Sequence, residues 1–135
     1  MEAKKLHLKV ITHERVVYDS DVDAIYSHGE KGEFGILPGH IPFMTSLEIG
    51  VTRAIRDNKT IPIAIMGGVF QLKNNEAIIL TTVAEHASDI DVARAKESKE
   101  RAEARLGSAD EAIDRQRAEI ALAKALARLK ATSLR

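Results

Sequence analysis

The sequence predicts a β-plus-α protein, with an N-terminal β-sandwich of about ten short strands followed by an antiparallel hairpin of two helices. Two observations support this prediction. All five aromatic residues, all three prolines and seven of the eight glycines precede residue 85. From Glu85 onward the chain is rich in Ala, Arg, Glu, Lys and Leu, which are strong helix formers. We therefore expect a β domain over residues 1–84, a hinge over 85–89 and a helical hairpin over 90–135.

Short runs of alternating or β-branched residues predict the strands. The turn signals that separate them are Asp57-Asn58-Lys59, Gly67-Gly68 and Asn74-Asn75-Glu76. Many short strands at regular spacing are typical of a sandwich or a barrel. The clearest runs cover residues 6–12, 16–18, 22–26, 49–55, 61–66, 69–72 and 77–83.

Two capping-box patterns predict the helices. Ser88-Asp89-Ile90-Asp91 marks the first start, and Ser108-Ala109-Asp110-Glu111 marks the second. Gly107 between them suits the end of a helix. The helices should therefore cover 90–106 and 109–132, and so short a connection makes them antiparallel neighbours.

The seam between the two helices should be thin. Alanines fill most of its positions, and a buried CH₂ contributes only about 0.8 kcal/mol. Ion pairs at helical spacing, Glu97–Arg101 and Glu111–Arg115, should add a few tenths of a kcal/mol each. We expect persistent helices whose packing is easily undone, so that a ligand could decide their arrangement. The larger apolar residues expected in the seam are Val92, Leu106, Ile113, Ile120, Leu122, Leu126 and Leu129.

Composition excludes several classes of function. The chain has no cysteine, so it has neither disulfides nor thiolate chemistry. Its 20 acidic and 20 basic residues balance, whereas nucleic-acid binders carry a basic excess. No apolar run approaches the roughly 20 residues of a membrane span, and the N-terminus has no signal-peptide core. These features favour an intracellular soluble chain that can still sit on a membrane complex, with no nucleic-acid partner.

Charged side chains form a stripe on each predicted helix. Arginine forks suit phosphate oxygens, and two basic stripes at similar height repel unless they point apart or an anion lies between them. Asp91 or Glu85 would accept from an amino group or a hydroxyl. From spacing alone, a solvated charged face with Asp91 as a helix cap is the favoured interpretation. The stripes are Asp91, Arg94, Ser98, Arg101 and Arg105 on the first helix, and Arg117, Lys124 and Arg128 on the second.

A second group of polar residues flanks a glycine-rich segment: His28, Glu30, Glu33 and His40. Two histidines and a glutamate on a β-sandwich are compatible with a metal-dependent enzyme of the cupin type. However, the sequence has no His-x-His pair, and the histidines lie in predicted loops, so locally hydrogen-bonded surface histidines are favoured. No arrangement suggests a self-sufficient active site. We therefore expect no catalysis and no metal site in this chain.

Three motifs resemble one known family. The run Gly32-Glu33-Phe34-Gly35-Ile36-Leu37-Pro38-Gly39-His40-Ile41-Pro42 resembles the signature loop of the ε subunit of bacterial F-type ATP synthases. Gly67-Gly68-Val69-Phe70 is similar to that family's Gly-Gly-hydrophobic turn. Ile90-Asp91-Val92-Ala93-Arg94-Ala95 is similar to the I/L-D-x-x-R-A motif at the head of its first C-terminal helix. The resemblance covers essentially the whole chain.

The resemblance implies a non-catalytic rotor subunit of the central stalk, on the cytoplasmic side of the bacterial cell membrane. Its sandwich would bind the γ subunit and the c-ring, with Glu30, Lys31 and His40 at the contact. Its hairpin would either fold onto the sandwich or extend along γ toward the catalytic α and β subunits and restrain ATP hydrolysis. Arg115, Arg117 and Arg128 would then meet a catalytic β subunit.

The resemblance also implies that the folded hairpin binds ATP as a regulatory ligand, with its dependence on Mg²⁺ left open. Lys124 stands where relatives can have arginine, which keeps the charge but loses the planar fork. ATP would bridge the two helices and offset their like charge. The alternative is a constitutive assembly module whose hairpin is a static strut without an ATP role. The implied contacts are Glu85, Ile90, Asp91, Arg94, Ala95, Arg101, Lys124 and Arg128.

Overall fold

A computed structural model describes residues 5–135, which form eight strands, one short 3-10 helix and two α-helices. The predicted order of a β domain followed by a helical hairpin is confirmed. Fewer strands appear than the expected ten: β5 and β6 are long, at 14 and 15 residues, and β6 joins the two predicted runs at 61–66 and 69–72. The strands are β1 (Leu6–Ile11), β2 (Val16–Val22), β3 (Ala24–Gly29), β4 (Gly32–Ile36), β5 (Phe43–Arg56), β6 (Lys59–Lys73), β7 (Glu76–Leu80) and β8 (Ala84–His86).

The strands follow the order β2-β1-β7-β6-β5-β3-β4, and β8 pairs with β6 outside this path. The β1–β7 pair is parallel, and the other pairs are antiparallel. Alternate residues of β1 are fully buried, and they share one apolar cluster with residues of β3, β4, β6 and β7. Since strands from both ends of the order contribute to one core, the sheet folds over on itself as a sandwich.

Two of the three predicted turns are confirmed. Asp57-Asn58 and Asn74-Asn75 connect β5 to β6 and β6 to β7, and all four residues have positive φ. Adjacent residues with positive φ are typical of two-residue hairpin turns, which asparagine and aspartate tolerate. The third prediction, a turn at Gly67-Gly68, is wrong.

Gly67 and Gly68 lie inside β6, at φ angles of 81° and 138°. They mark the place where β6 changes its second neighbour, from β8 at residues 63–65 to β7 at residues 69–73. A methyl group on Gly68 would collide with the carbonyl of Leu80. The glycines therefore bend one long strand and let β7 approach it, which a local turn signal in the sequence does not distinguish from a chain reversal.

The first helix, α1, covers Val92–Leu106, as predicted to within two residues. Its N-cap is Asp91, whose side chain accepts a hydrogen bond from the Arg94 backbone N–H at 3.1 Å. The predicted capping box at Ser88 is therefore wrong, because residues 87–89 form the 3-10 helix Ala87–Asp89. The helix ends at Gly107, as predicted, although Gly107 keeps a right-handed conformation.

The second helix, α2, covers Arg115–Leu134 and begins six residues later than predicted. Ser108 accepts from the Asp110 N–H at 3.1 Å, and Asp110 accepts from the Ala112 N–H at 2.9 Å. These local hydrogen bonds hold the segment in turns, because short polar side chains compete with the helical pattern. Asp114 is the true cap, accepting from the Arg117 N–H at 3.0 Å.

Alanines form the buried side of both helices, as the thin seam predicted. The buried residues are Ala95 and Ala102 on α1, and Ala118, Ala125, Ala127 and Ala131 on α2. Placing Ile120 and Leu126 in the seam was wrong, because both side chains are exposed. Ile113 belongs to the connection rather than to a helix.

The ion pairs expected along the helices are replaced by other contacts. Arg101 donates to the Ser98 hydroxyl at 3.2 Å, instead of pairing with Glu97. Arg115 donates to the carbonyls of Leu106 and Ser108, both at 2.8 Å, and so closes the connection between the helices. Arg115 is free for this contact because Glu111 lies in the connection, outside the helix that would have aligned the two side chains.

The hairpin is folded against the sandwich in this structure. A second apolar cluster, here called the docking core, joins β5, β6, the 3-10 helix and the end of α2. Ala131 is fully buried in it, and Leu134 packs at its margin. Arg135 adds a hydrogen bond from its guanidinium to the Ala87 carbonyl at 2.8 Å. The docking core consists of Val51, Ala64, Met66, Ala87, Ile90 and Ala131.

Candidate functional site

A pocket of about 350 Å³ lies where the end of the β-sandwich meets the two helices. We call it the junction pocket. Its walls come from β8, the 3-10 helix, the first turns of α1 and the middle of α2. It is therefore complete only while the hairpin is folded down. The lining residues are Glu85, Asp89, Ile90, Asp91, Arg94, Ala95, Ser98 and Arg128.

The start of α1 positions one side of the junction pocket. Asp91 caps the helix, and Arg94, Ala95 and Ser98 follow at spacings of three and four residues, so they share one face. Ala95 is buried, which lets α2 approach, whereas Arg94 is exposed. The N-terminus of a helix carries a partial positive charge, so anions are stabilised there.

Arg128, on α2, lines the wall of the pocket that faces α1 and connects this wall to β8. Its Nε and Nη2 atoms donate to the same oxygen of Glu85, Oε1, at 3.0 and 2.8 Å. Both side chains are less than one-third exposed, at 27% and 29%. Glu85 thus supplies an internal anion for one arginine of the basic stripe on α2. The sequence predicted that the two basic stripes repel unless they point apart or an anion lies between them, and for Arg128 the carboxylate of Glu85 is such an anion.

Six of the eight residues expected to contact ATP line the junction pocket. They come from three separate elements, and only the fold brings them together. The six are Glu85, Ile90, Asp91, Arg94, Ala95 and Arg128.

Arg101 and Lys124 do not line the junction pocket. Arg101 lies two turns further along α1 and lines a separate surface cavity with Glu97 and Glu100. Lys124 lies one turn of α2 before Arg128 and is partly buried. The helix bounds predicted from the sequence, 90–106 and 109–132, place the turn at residues 107–108. The connection instead spans 107–114, so Arg94 becomes level with the turn of α2 that carries Arg128.

Two residues of the junction pocket were not predicted as site residues. Asp89 lies in the 3-10 helix between Glu85 and Asp91. Ser98 belongs to the predicted stripe on α1 and follows Arg94 by four residues, which is the signal that could have identified it. Asp89 gave no such signal, because the sequence does not reveal the 3-10 helix that directs it to the pocket.

The junction pocket carries both signs of charge. Three carboxylates and two guanidinium groups give its lining a formal charge of −1. Arg94 and Arg128 can hold phosphate oxygens, and the carboxylates can accept from the amino group of a base or a hydroxyl of a sugar. The chemistry available is recognition of a polar anion.

The residues that the resemblance assigned to the γ subunit and the c-ring do not line the junction pocket. Glu30 and Lys31 are exposed at the turn between β3 and β4. His40 lies in the loop before β5, where its Nδ1 is 2.7 Å from the Ile41 carbonyl oxygen. Beside it, Leu37 and Ile41 are 58% and 74% exposed. This loop therefore presents apolar and polar side chains to solvent together.

Arg115 and Arg117, assigned to a catalytic β subunit, begin α2. Both are exposed, and the Arg115 guanidinium is held by two carbonyls of the connection. Arg128, the third residue of this set, lies instead in the junction pocket with Glu85. The three arginines therefore do not form one patch in the folded arrangement.

The candidate metal ligands do not converge. His28 and Glu33 are cross-strand partners on β3 and β4, and Glu33 accepts from Arg53 at 3.0 Å. His40 lies in the loop beyond β4, bound to its own chain. Within residues 5–135, no group of three or more His, Cys, Asp or Glu side chains could hold a metal ion. The part of the chain that the structure describes also contains no helix with the length and apolarity needed to span a membrane.

A β-sandwich followed by a helical hairpin that folds onto it, with a charged pocket at their junction, defines a protein of the β-plus-α class. The profile of the ATP synthase Delta/Epsilon chain, beta-sandwich domain, matches residues 5–87. The profile of the long alpha-helix domain of the same chains matches residues 88–133. The chain therefore belongs to the ATP synthase delta/epsilon chain family, and it is a subunit of ATP synthase.

Individual relatives support this family assignment. The ATP synthase epsilon chain of Desulforamulus reducens is 44% identical over 96% of this chain and 98% of its own length. The ATP synthase epsilon chain of Nitratidesulfovibrio vulgaris is 41% identical over 94% of this chain and 95% of its own length. Among solved structures, a chain of the Euglena gracilis mitochondrial ATP synthase (OSCP/F1/c-ring) has a TM-score of 0.82 and 26% identity, covering 96% of this chain and 81% of that one.

Proposed function

We propose that this chain is a central-stalk rotor subunit that couples proton flow to ATP synthesis, and that its hairpin regulates ATP hydrolysis. The folded hairpin binds ATP, and the extended hairpin reaches along γ toward the catalytic α and β subunits and inhibits hydrolysis. Family membership supports the role in the complex. The construction of the junction pocket from both domains supports the regulatory part.

The main support for regulation is that no single element forms the junction pocket. Arg94 comes from α1, Arg128 from α2 and Glu85 from β8. A ligand that contacts Arg94 and Arg128 binds only the folded arrangement. By linkage, it shifts the equilibrium toward that arrangement by its difference in affinity for the two states.

The packing of the hairpin makes such a shift feasible. Ala131 is the one α2 residue that is fully buried in the docking core, and an alanine contributes little apolar area. The Glu85–Arg128 ion pair is partly exposed, so it adds a modest stabilisation. A ligand present at 100 times its Kd contributes about 2.7 kcal/mol, which is comparable with these contacts.

Arg128 also supports mutual exclusion between ligand and partner. In the folded hairpin its guanidinium lies in the junction pocket. Extension would separate it from Glu85 and expose it, along with Arg115 and Arg117, to an acidic surface of a catalytic β subunit. Because the Arg128 guanidinium cannot contact the ligand and the β subunit at the same time, binding of one excludes binding of the other, as a switch requires.

The sandwich supplies the proposed docking surface for γ and the c-ring. The loop around His40 exposes Leu37 and Ile41, and the neighbouring turn exposes Glu30 and Lys31. An exposed patch of apolar side chains with a polar rim is typical of a protein interface. Docking there would hold the chain peripherally at the cytoplasmic side of the membrane.

Calorimetry with ATP, with and without Mg²⁺, tests the nucleotide proposal. Wild type should bind ATP, and Arg94→Ala should weaken binding at least tenfold because a charge-assisted contact is lost. Arg105→Ala is a matched control, since Arg105 lies further along the same stripe and outside the pocket lining. Absence of heat at millimolar ATP, or equal binding by wild type and Arg94→Ala, would reject the nucleotide role.

Truncation after Asp89 tests inhibition. This cut retains β8 and the 3-10 helix, which belong to the sandwich side. The truncated chain should still assemble with γ, and hydrolysis by the complex should rise. Unchanged hydrolysis would instead support the alternative in which the hairpin is a static strut.

A further inference from the structure

Two of the three carboxylates in the junction pocket have structural partners. Glu85 accepts two hydrogen bonds from Arg128, at 3.0 and 2.8 Å. Asp91 accepts from the Arg94 backbone N–H at 3.1 Å and lies at the positive end of α1. Each of these charges is therefore balanced, in whole or in part, by the fold itself.

Asp89 differs from both. It is exposed, and its side chain has no hydrogen-bond or ion-pair partner within residues 5–135, although it lines the pocket. It does not cap α1, because Asp91 does. With Glu85 and Arg128 paired, the remaining charges of the pocket are Arg94 against Asp89 and Asp91. Asp89 thus adds a negative charge that no contact of the folded chain requires.

We propose that Asp89 sets the charge selectivity of the junction pocket, weakening the binding of phosphate ligands in proportion to their negative charge. This inference rests on the proposed function of the pocket as a nucleotide site. The carboxylate repels the phosphate groups that Arg94 and Arg128 attract. Its effect is absent for a neutral nucleoside and largest for a nucleoside triphosphate.

The size and salt dependence of this effect follow from electrostatics. Two unit charges about 4 Å apart in water interact by about 1 kcal/mol, which is roughly a fivefold change in affinity. Because Asp89 is exposed, the repulsion is screened within about 10 Å at 0.1 M salt. Removal of the charge should therefore strengthen ATP binding by about two- to fivefold at low salt.

The test measures the affinity of the full chain for adenosine, AMP, ADP and ATP at low and at high salt. Asp89→Asn keeps the shape of the side chain and removes its charge. The gain in affinity over wild type should be absent for adenosine, rise along the series and shrink at high salt. Glu111→Gln is the matched control, because it removes the same charge from an exposed carboxylate outside the pocket lining.

The outcomes separate this inference from the function on which it rests. If neither wild type nor Asp89→Asn binds any nucleotide, the proposed function fails, and this inference fails with it. Binding of ATP with equal affinity by both chains overturns the role of Asp89 alone. Weaker binding by Asp89→Asn also overturns it, since the carboxylate would then be an attractive contact. An equal gain in Glu111→Gln would show an effect of net charge and not of the pocket.

Discussion

Arg128 donates two hydrogen bonds to one oxygen of Glu85, across a sequence separation of 43 residues. The contact joins the middle of α2 to the last strand of the sandwich, at the wall of the junction pocket. The folded hairpin is thus held by the protein's own charges as well as by its apolar contacts. A nucleotide in this pocket would add to an existing contact, or compete with it for Arg128.

Glu85→Gln should loosen the folded hairpin. The substitution leaves the Arg128 guanidinium partly buried without its anionic partner, at a cost of about 1 kcal/mol. Hydrogen exchange of the α2 amides should increase, while exchange in β1 and β7 should stay unchanged. Asp57→Asn is the control, because its ion pairs with Lys5 and Arg56 lie within the sandwich. Equal protection of α2 in wild type and Glu85→Gln would show that the ion pair does not hold the hairpin.

Asp114→Ala should destabilise α2 by about 1 kcal/mol, because the Arg117 N–H loses its capping partner. Ser108→Ala should cost only a few tenths of a kcal/mol, since Ser108 lies in the connection and caps no helix. Urea unfolding of the two variants compares these costs directly. A larger loss in Ser108→Ala would restore the helix start that the sequence predicted.

The fold was largely predictable because its two halves differ in local physical chemistry. Alanine and long charged residues specify helices by propensity, and the loss of aromatics and prolines near residue 85 marks the boundary. The misplaced features depend on tertiary context. Gly67-Gly68 has the local pattern of a turn, yet the pairing of β6 with β5 on both sides of it keeps the strand continuous. Ser108 has a capping pattern that competing turns override.

The candidate site was predictable only in part. Asp91, Arg94 and Ala95 lie on one turn of a helix, so their spacing alone places them together. Glu85 and Arg128 meet through the folding of α2 onto the sandwich, which spacing cannot reveal. The connection between the helices is also longer than the sequence predicted, spanning residues 107–114. An error of a few residues in a hairpin turn shifts every pair of facing residues along both helices.

The sandwich should lose stability as the pH rises above neutrality, because of His7. Its Nδ1 is 2.7 Å from Asp21, and its Nε2 contacts Asp19, both on the neighbouring strand β2. Hydrogen bonds with Asp21 and then Asp19 raise the pKa of His7. A raised folded-state pKa gives stability that is fully present below about pH 6.5, the unfolded value, and that is lost as the pH rises through the folded value.

Urea midpoints between pH 5.5 and 8.5 measure this loss. His7→Gln should flatten the profile over that range, because the residue no longer titrates. His13→Gln should keep the wild-type slope, since His13 lies in the turn before β2 and, within residues 5–135, its ion-pair partner is the neighbouring Glu14. A wild-type profile that is already flat, or one that His7→Gln leaves unchanged, would contradict the assignment.

Ala131→Leu should drive the hairpin off the sandwich without unfolding either part. Ala131 is fully buried between α2 and the sheet, so three added carbons overpack the docking core by about 1–3 kcal/mol. Ala104→Leu makes the same change at an exposed position of α1 and should be neutral. Because the chain has no cysteine, one label on β2 and one on α2 can be introduced selectively. Pulsed electron paramagnetic resonance should show a longer distance between the two labels in Ala131→Leu than in wild type. If the nucleotide stabilises the folded hairpin, ATP should shorten that distance. A label-to-label distance equal to that of wild type would mean that the docking core does not hold the hairpin on the sandwich.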